Sequence, residues 1–126
     1  MPAPTPAEFE ILRVLWTRGP STVRDVHTAL EERGRDVGYT TVLKLMQIMA
    51  EKGLAQRDAS ERTHIYRAAV AEDATKQRLV SDLLDRAFEG SALGLVMHAL
   101  ATRPADSDEL QQIRALLDEH AQGDDR

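Results

Sequence analysis

VGYTTVLKLMQIMAEKGL, Val37–Leu54, is the stretch on which the fold turns. It opens on a glycine, a tyrosine and two threonines, runs into an apolar stripe and stops at Lys52-Gly53. At about 100° per residue, Val42, Leu45, Met46 and Met49 gather on one side of a helix. Thr40, Lys44, Gln47 and Glu51 lie roughly opposite, and Leu43 stands at the border. Gly53 supplies a natural C-terminal stop. Any surface helix needs the stripe; the makeup of the polar edge needs a separate reason.

The flanking sequence supplies a context. Thr5-Pro6-Ala7-Glu8 carries a cap, a proline at the first helical position and an acid three residues after the cap, which predicts a capping box. Phe9, Leu12, Leu15 and Trp16 follow at helical spacing, and Arg18-Gly19-Pro20 ends that helix. Ser21 or Thr22 caps a second helix with Val23, Val26 and Leu30 inward, closing at Gly34. Beyond the third helix, Leu54–Arg57 and Thr63–Ala68 read as short strands, with Asp58–Arg62 as the hairpin loop. Three helices and a hairpin in residues 1–70 describe a winged helix-turn-helix.

Residues 71–126 read as three more helices. Their stripes are Leu79, Leu83, Leu84 and Phe88, then Leu93, Val96, Met97 and Leu100, then Leu110, Ile113, Leu116 and Leu117, with Ser107 as the cap of the last. Ala121–Arg126 is expected to fray. Some 55 residues in three short helices make a poor independent core. Pairing with a second copy would bury the stripes, as would folding back on the winged lobe; a twofold dimer is the commonest oligomer and is the favoured reading. The fold class is therefore mostly α: a winged helix-turn-helix of three helices plus a β-hairpin wing, followed by a three-helix C-terminal dimerisation lobe.

Composition narrows the function. The chain of 126 residues has no cysteine, which excludes disulfides, thiolate zinc sites and thiol redox sensing. Its most apolar run, Ser91–Ala101, is about half the length that spans a bilayer. A cytoplasmic protein, mature as written and not inserted in a membrane, is expected. Net charge is −5, yet residues 1–70 hold ten Arg/Lys against nine Asp/Glu, and residues 71–126 hold six against twelve. Binding DNA needs local cations, not a basic total, so the first half is open to that role and the second is disfavoured.

In a helix-turn-helix the second helix of the motif enters the major groove. Tyr39, Thr40, Thr41, Leu43, Lys44 and Gln47 would then meet the duplex. The threonines suit phosphate or base, Lys44 guanine or phosphate, Gln47 adenine, and Leu43 a thymine methyl. Arg57, Arg62, His64 and Arg67 sit on or beside the hairpin, where a wing straddles the backbone. Amphipathicity alone favours a plain solvated face; the hairpin shifts the balance toward DNA. Glu51 would repel phosphate and is placed beyond the contact.

The histidines, at 27, 64, 98 and 120, show no metal-ligand spacing, and His27 and His98 lie on or near apolar stripes where most histidines are simply packed. No phosphate-binding loop or nucleophile elbow appears, so neither an enzyme, a cofactor nor a metal is expected. A winged-helix protein-interaction module centred on Leu43 and a metal-responsive regulator remain as alternatives.

The sequence resembles the penicillinase-repressor family of bacterial regulators (BlaI/MecI type). The resemblance rests on TPAEFEILRVLW (Thr5–Trp16), STVRDV (Ser21–Val26), YTTV and EKGL within Tyr39–Leu54, RTHIY (Arg62–Tyr66) and FEGSALGLVMHAL (Phe88–Leu100). It implies a homodimeric repressor whose third helices and wings hold a palindromic operator in double-stranded DNA and whose C-terminal helices dimerise, with a membrane sensor protease as the upstream partner. Lys44 and Ile48 stand where family members commonly carry threonine and arginine, so the operator sequence does not carry over. His98-Ala99 occupies the positions of the family's Asn-Phe cut. The cysteines of the copper-responsive relatives are missing.

Overall fold

The computed structural model describes residues 3–124. Among them run α1 (Pro6–Arg18), α2 (Val23–Glu32), α3 (Tyr39–Lys52), β1 (Ala55–Asp58), β2 (Ile65–Ala68), α4 (Glu72–Ala87), α5 (Ala92–Thr102) and α6 (Ser107–Asp124). This is the expected order of a winged helix-turn-helix with helices after it. Two compact units, Met1–Ser81 and Asp82–Arg126, divide the chain inside α4.

In the first unit, α1 begins with the predicted capping box. Thr5 Oγ1 accepts from the Glu8 amide, and Glu8 Oε1 accepts from the Thr5 amide. Glu8 is also buried, and Lys52 Nζ at the end of α3 donates to both its oxygens at 2.8 and 3.0 Å. Burial alone would push the Glu8 carboxyl up. The Lys52 bond, the Thr5 amide and the ammonium charge overcome it and hold the group below the ordinary glutamate range.

Thr22, not Ser21, caps α2, and Asp25 completes a second capping box. The Ser21 hydroxyl is spent on the Gly19 carbonyl at 2.8 Å. The Ser21 backbone pairs with Tyr66 instead, exchanging hydrogen bonds of 2.9 and 2.8 Å. This adds a one-residue strand to the outer side of β2, which no periodicity announces.

The strands depart from their predicted bounds: β1 is displaced by one residue and takes in Asp58, expected in the loop, and β2 begins two residues late. Leu54 belongs to the exit from α3: its amide donates to the Met49 carbonyl at 2.9 Å beside left-handed Gly53, and its side chain is buried. Thr63 and His64 lie in the connection, and pairing starts with Asp58 opposite Ile65 and ends with Ala55 opposite Ala68. Behind the hairpin, Ile11, Leu12, Val26, Val42, Met46, Met49 and Tyr66 form the centre of one apolar core. Trp16 Nε1 donates to the Val70 carbonyl at 2.9 Å and meets Phe9 edge-on. Thr75 is buried, so the start of α4, and Leu79 with it, lies in this unit.

In the second unit, left-handed Glu89 and Gly90 turn the chain, and Ser91 caps α5 by accepting from the Gly94 amide at 2.9 Å. A Cβ on Gly94 would stand 3.3 Å from Phe88 Cδ1, so glycine lets that ring close on α5, where it meets His98 edge-on. Asp106, not Ser107, caps α6: its carboxylate accepts from the Glu109 amide, and Ser107 is already helical. Ala121–Asp124, expected to fray, continues α6 because its residues keep helical pairing; residues 125–126 lie outside the described ones. No described side chain from residue 82 onward is buried. Among the described residues no helix is long and apolar enough to cross a membrane.

Candidate nucleic-acid interface

α3 is anchored by Val42, Met46 and Met49, all buried. That anchoring turns Tyr39, Thr40, Thr41, Lys44 and Gln47 to solvent, with Leu43 half-buried against the core. The start of α3 differs from the starts of α1 and α2. Its N-cap is Gly38, which supplies no side-chain hydrogen bond. The amides of its first turn are therefore free of any capping side chain, and such amides suit anionic oxygens.

The Ser21–Tyr66 bridge draws the start of α2 to the wing, and a groove of about 540 Å³ opens between them and α3. Tyr39, Leu43 and Gln47, one helical turn apart, form one wall; Arg62, Thr63, His64 and Tyr66 form another; Thr22, Val23 and Arg24 close it. Among the described residues no aspartate or glutamate lines this groove, although the whole chain carries −5. Glu51, one turn beyond Gln47, stays outside it.

Of the residues singled out from the sequence, Tyr39, Leu43, Gln47, Arg62 and His64 share the groove, while Thr40, Thr41 and Lys44 are exposed beside it on α3. Arg57 is exposed on β1 opposite Tyr66, so it projects from a different part of the wing than Arg62. Thr22, Arg24 and Thr63 were not singled out. The signal for them is the Ser21 bridge, a pairing between residues 45 apart that a local pattern cannot carry.

Electrostatics follow the same division. Arg24, Lys44, Arg57 and Arg62 make no ion pair among the described residues. Arg18 pairs with Asp25 at 3.2 Å, Arg35 with Glu10 and Lys52 with Glu8, and none of these residues lines the groove. At the turn of the wing the Ser60 amide donates to Asp58, and that bond, with the nearby Arg67, holds the Asp58 carboxyl below its usual value. The acid is thus committed to shaping the turn. Asp58 and Glu61 stand between Arg57 and Arg62 on the wing but do not line the groove, and exposed hydroxyl, amide and ammonium groups beside guanidinium groups are what a phosphate-and-base surface requires.

The family model described as penicillinase repressor matches residues 4–119. The chain belongs to the penicillinase repressor family. Among its relatives is the transcriptional regulator BlaI of Mycobacterium tuberculosis, 35% identical over 114 residues that cover 88% of this chain and 82% of that protein. The penicillinase repressor of Staphylococcus aureus is 19% identical over 113 residues, covering 90% and 89%. The methicillin resistance regulatory protein MecI of Mammaliicoccus sciuri is 20% identical over 111 residues, covering 88% and 89%. These relatives are named as regulators of transcription or resistance, not as enzymes. The fold recurs in solved structures of low sequence identity. A mutant MarR from Escherichia coli superposes with a TM-score of 0.53 at 16% identity, over 94% of this chain and 78% of that one. RosR of H. salinarum gives 0.51 at 18%, over 95% and 96%.

Proposed function

We propose that this member of the penicillinase repressor family is a homodimeric transcriptional repressor that grips a palindromic operator. The observation that carries the proposal is the groove between α3 and the wing, lined by no acid and flanked by cations that make no ion pair among the described residues. Thr40, Thr41, Lys44 and Gln47 read or position bases from α3. Arg57, Arg62 and His64 hold the backbone from the wing. Tyr39 and Leu43 shape the wall between them. Leu43 is half committed to the core, which speaks for a DNA-facing border residue over the anchor of a docked protein.

The dimer completes the reading. Leu83, Leu93, Val96, Met97 and Leu117 are exposed, and Leu84, Phe88, Leu100, Leu110 and Ile113 only partly covered, in a unit without a buried core of its own. Two copies joined there would present their reading helices to half-sites roughly 34 Å apart. Release by an upstream sensor protease would act on α5. The positions matching the family's cut, His98 and Ala99, are exposed but helical, so cutting there requires α5 to open first.

Titrating the protein against its own upstream DNA over a range of salt tests the proposal. Affinity should fall steeply with salt as phosphate contacts release counterions. Lys44→Ala should lose about 1–3 kcal/mol on the preferred sequence if it pairs with guanine. A salt-independent affinity, or equal binding to scrambled DNA, would remove the proposal.

A further inference from the structure

His27 was expected to be simply packed, but both its ring nitrogens are engaged. Nε2 lies 2.8 Å from the Val37 carbonyl oxygen, and Nδ1 lies 3.0 Å from Glu31 Oε1, one turn along α2. The ring meets Tyr39 edge-on with centroids 5.9 Å apart. His27 thus touches the residue before the N-cap of α3, and the first residue of α3 itself. The N-cap gives α3 no side-chain bond of its own. The link from Arg35 to Gly38 is held instead from outside: by His27 at Val37, and by Glu10 at Arg35.

We propose that His27 is a positioning residue for DNA reading: clamped by Glu31, its ring fixes Val37 and Tyr39 and so sets how α3 enters the groove of the duplex. This rests on the DNA-binding function proposed above. The donor inventory makes the clamp specific. A carbonyl and a carboxylate only accept, so satisfying both requires the ring to donate from both nitrogens, which only the doubly protonated imidazole does. The titratable groups it meets are Glu31 on α2 and Tyr39 on α3, with Asp36 next to Val37 on the link. The ring is thus held at both nitrogens, by Glu31 from α2 and by Val37 from the link, with Tyr39 edge-on beside it.

The test uses the full-length protein, a duplex selected by the wild type from a random-sequence pool, and a scrambled duplex of the same composition. The readout is the ratio of the two affinities, in which sequence-independent phosphate contacts cancel, those of His64 on the wing included. His27→Leu fills the space without donating, and the ratio should fall about tenfold while the salt dependence stays unchanged. His27→Gln keeps an N–H that can reach Val37 and should retain most of the ratio. Without DNA, the Val37 and Tyr39 amide resonances should move in Glu31→Ala, which unclamps the ring, and stay near their wild-type positions in His27→Gln. This arm needs no DNA and keeps the proposal falsifiable should His27→Leu fail to fold. A His27→Leu ratio equal to the wild type's, or Val37 and Tyr39 resonances unmoved by Glu31→Ala, would overturn the positioning role and leave the DNA-binding function intact. A wild type that cannot distinguish the duplexes would overturn both.

Discussion

Among the described residues, the thirteen buried side chains of the apolar core all lie between Ile11 and Tyr66, in the first unit. From Asp82 onward no described side chain is buried, although Ser91–Ala101 is the most apolar run of the sequence. Hydrophobicity alone therefore does not separate the two units; what separates them is whether the stripes find partners inside the protomer. The first unit has three mutually crossing helices and a hairpin that closes over them. The second has stripes of Leu, Val and Met left half open, with Leu93 70% and Leu117 60% exposed. A stripe that exposed contributes little within its own chain, and its stabilising effect waits for a second surface.

The comparison breaks first at its strongest point. Leu12 is wholly buried. Leu12→Ala should lower the unfolding free energy by about 2–5 kcal/mol, the transfer loss plus an unfilled cavity. Leu117→Ala removes the same atoms from an open face. Its effect should appear as a weaker association in sedimentation equilibrium, with urea unfolding at a concentration too low for pairing left nearly unchanged. Equal losses for both variants in the dilute protein would mean that the second unit has a core within the protomer, and the contrast would fail.

A smaller and more specific effect should come from Lys52, which holds Glu8 inside the first unit. Lys52→Met leaves a buried carboxylate with only its cap. The expected loss is about 2–3 kcal/mol at neutral pH, below the ~3–5 of a fully enclosed pair because the Lys52 side chain keeps 28% of its exposure. The sign with pH follows from the lowered Glu8 value. The wild-type pair contributes above the unfolded glutamate pKa, and that contribution is lost as pH falls through the lower folded value. In Lys52→Met burial acts with less opposition and pushes the carboxyl up. A protonated Glu8 is cheaper to bury, so the wild-type and variant unfolding free energies should converge in acid. Urea unfolding over a pH series checks this; parallel curves would show that the ammonium is not what offsets the burial of Glu8.

These contrasts mark what was legible in the sequence. Local signals read well: Thr5, Pro6 and Glu8 gave the start of α1, Gly53 the end of α3, and the period of Val42, Met46 and Met49 the buried face that turns Thr40, Lys44 and Gln47 outward. Thr22 against Ser21 was also decidable, since Asp25 stands three residues after Thr22 and only that choice forms a box. Three features were not legible, because each joins residues far apart in the chain. They are the Glu8–Lys52 pair, the Ser21–Tyr66 bridge that brings Arg24 and Thr63 to the groove, and the His27 contacts with Val37 and Tyr39. A pairing of single residues leaves no period to detect.

The smallest expected effect isolates the comparison with matched chemistry, because both units contain a hydroxyl cap. Thr22 Oγ1 accepts from the Asp25 amide at 3.0 Å in the first unit, and Ser91 Oγ accepts from the Gly94 amide at 2.9 Å in the second. Each removal costs about 1 kcal/mol to the helix it caps. Whether that cost reaches the whole molecule depends on what the helix is coupled to. α2 is locked into the core through Val26 and Leu30, so Thr22→Ala should lower the global unfolding free energy by nearly the full amount. α5 has no buried residue, so Ser91→Ala should leave the first unit's unfolding unmoved. It should instead speed amide hydrogen exchange in α5, to a degree that shrinks as protein concentration rises and pairing covers the helix. Exchange in α5 that ignores concentration would show that no second copy covers that face.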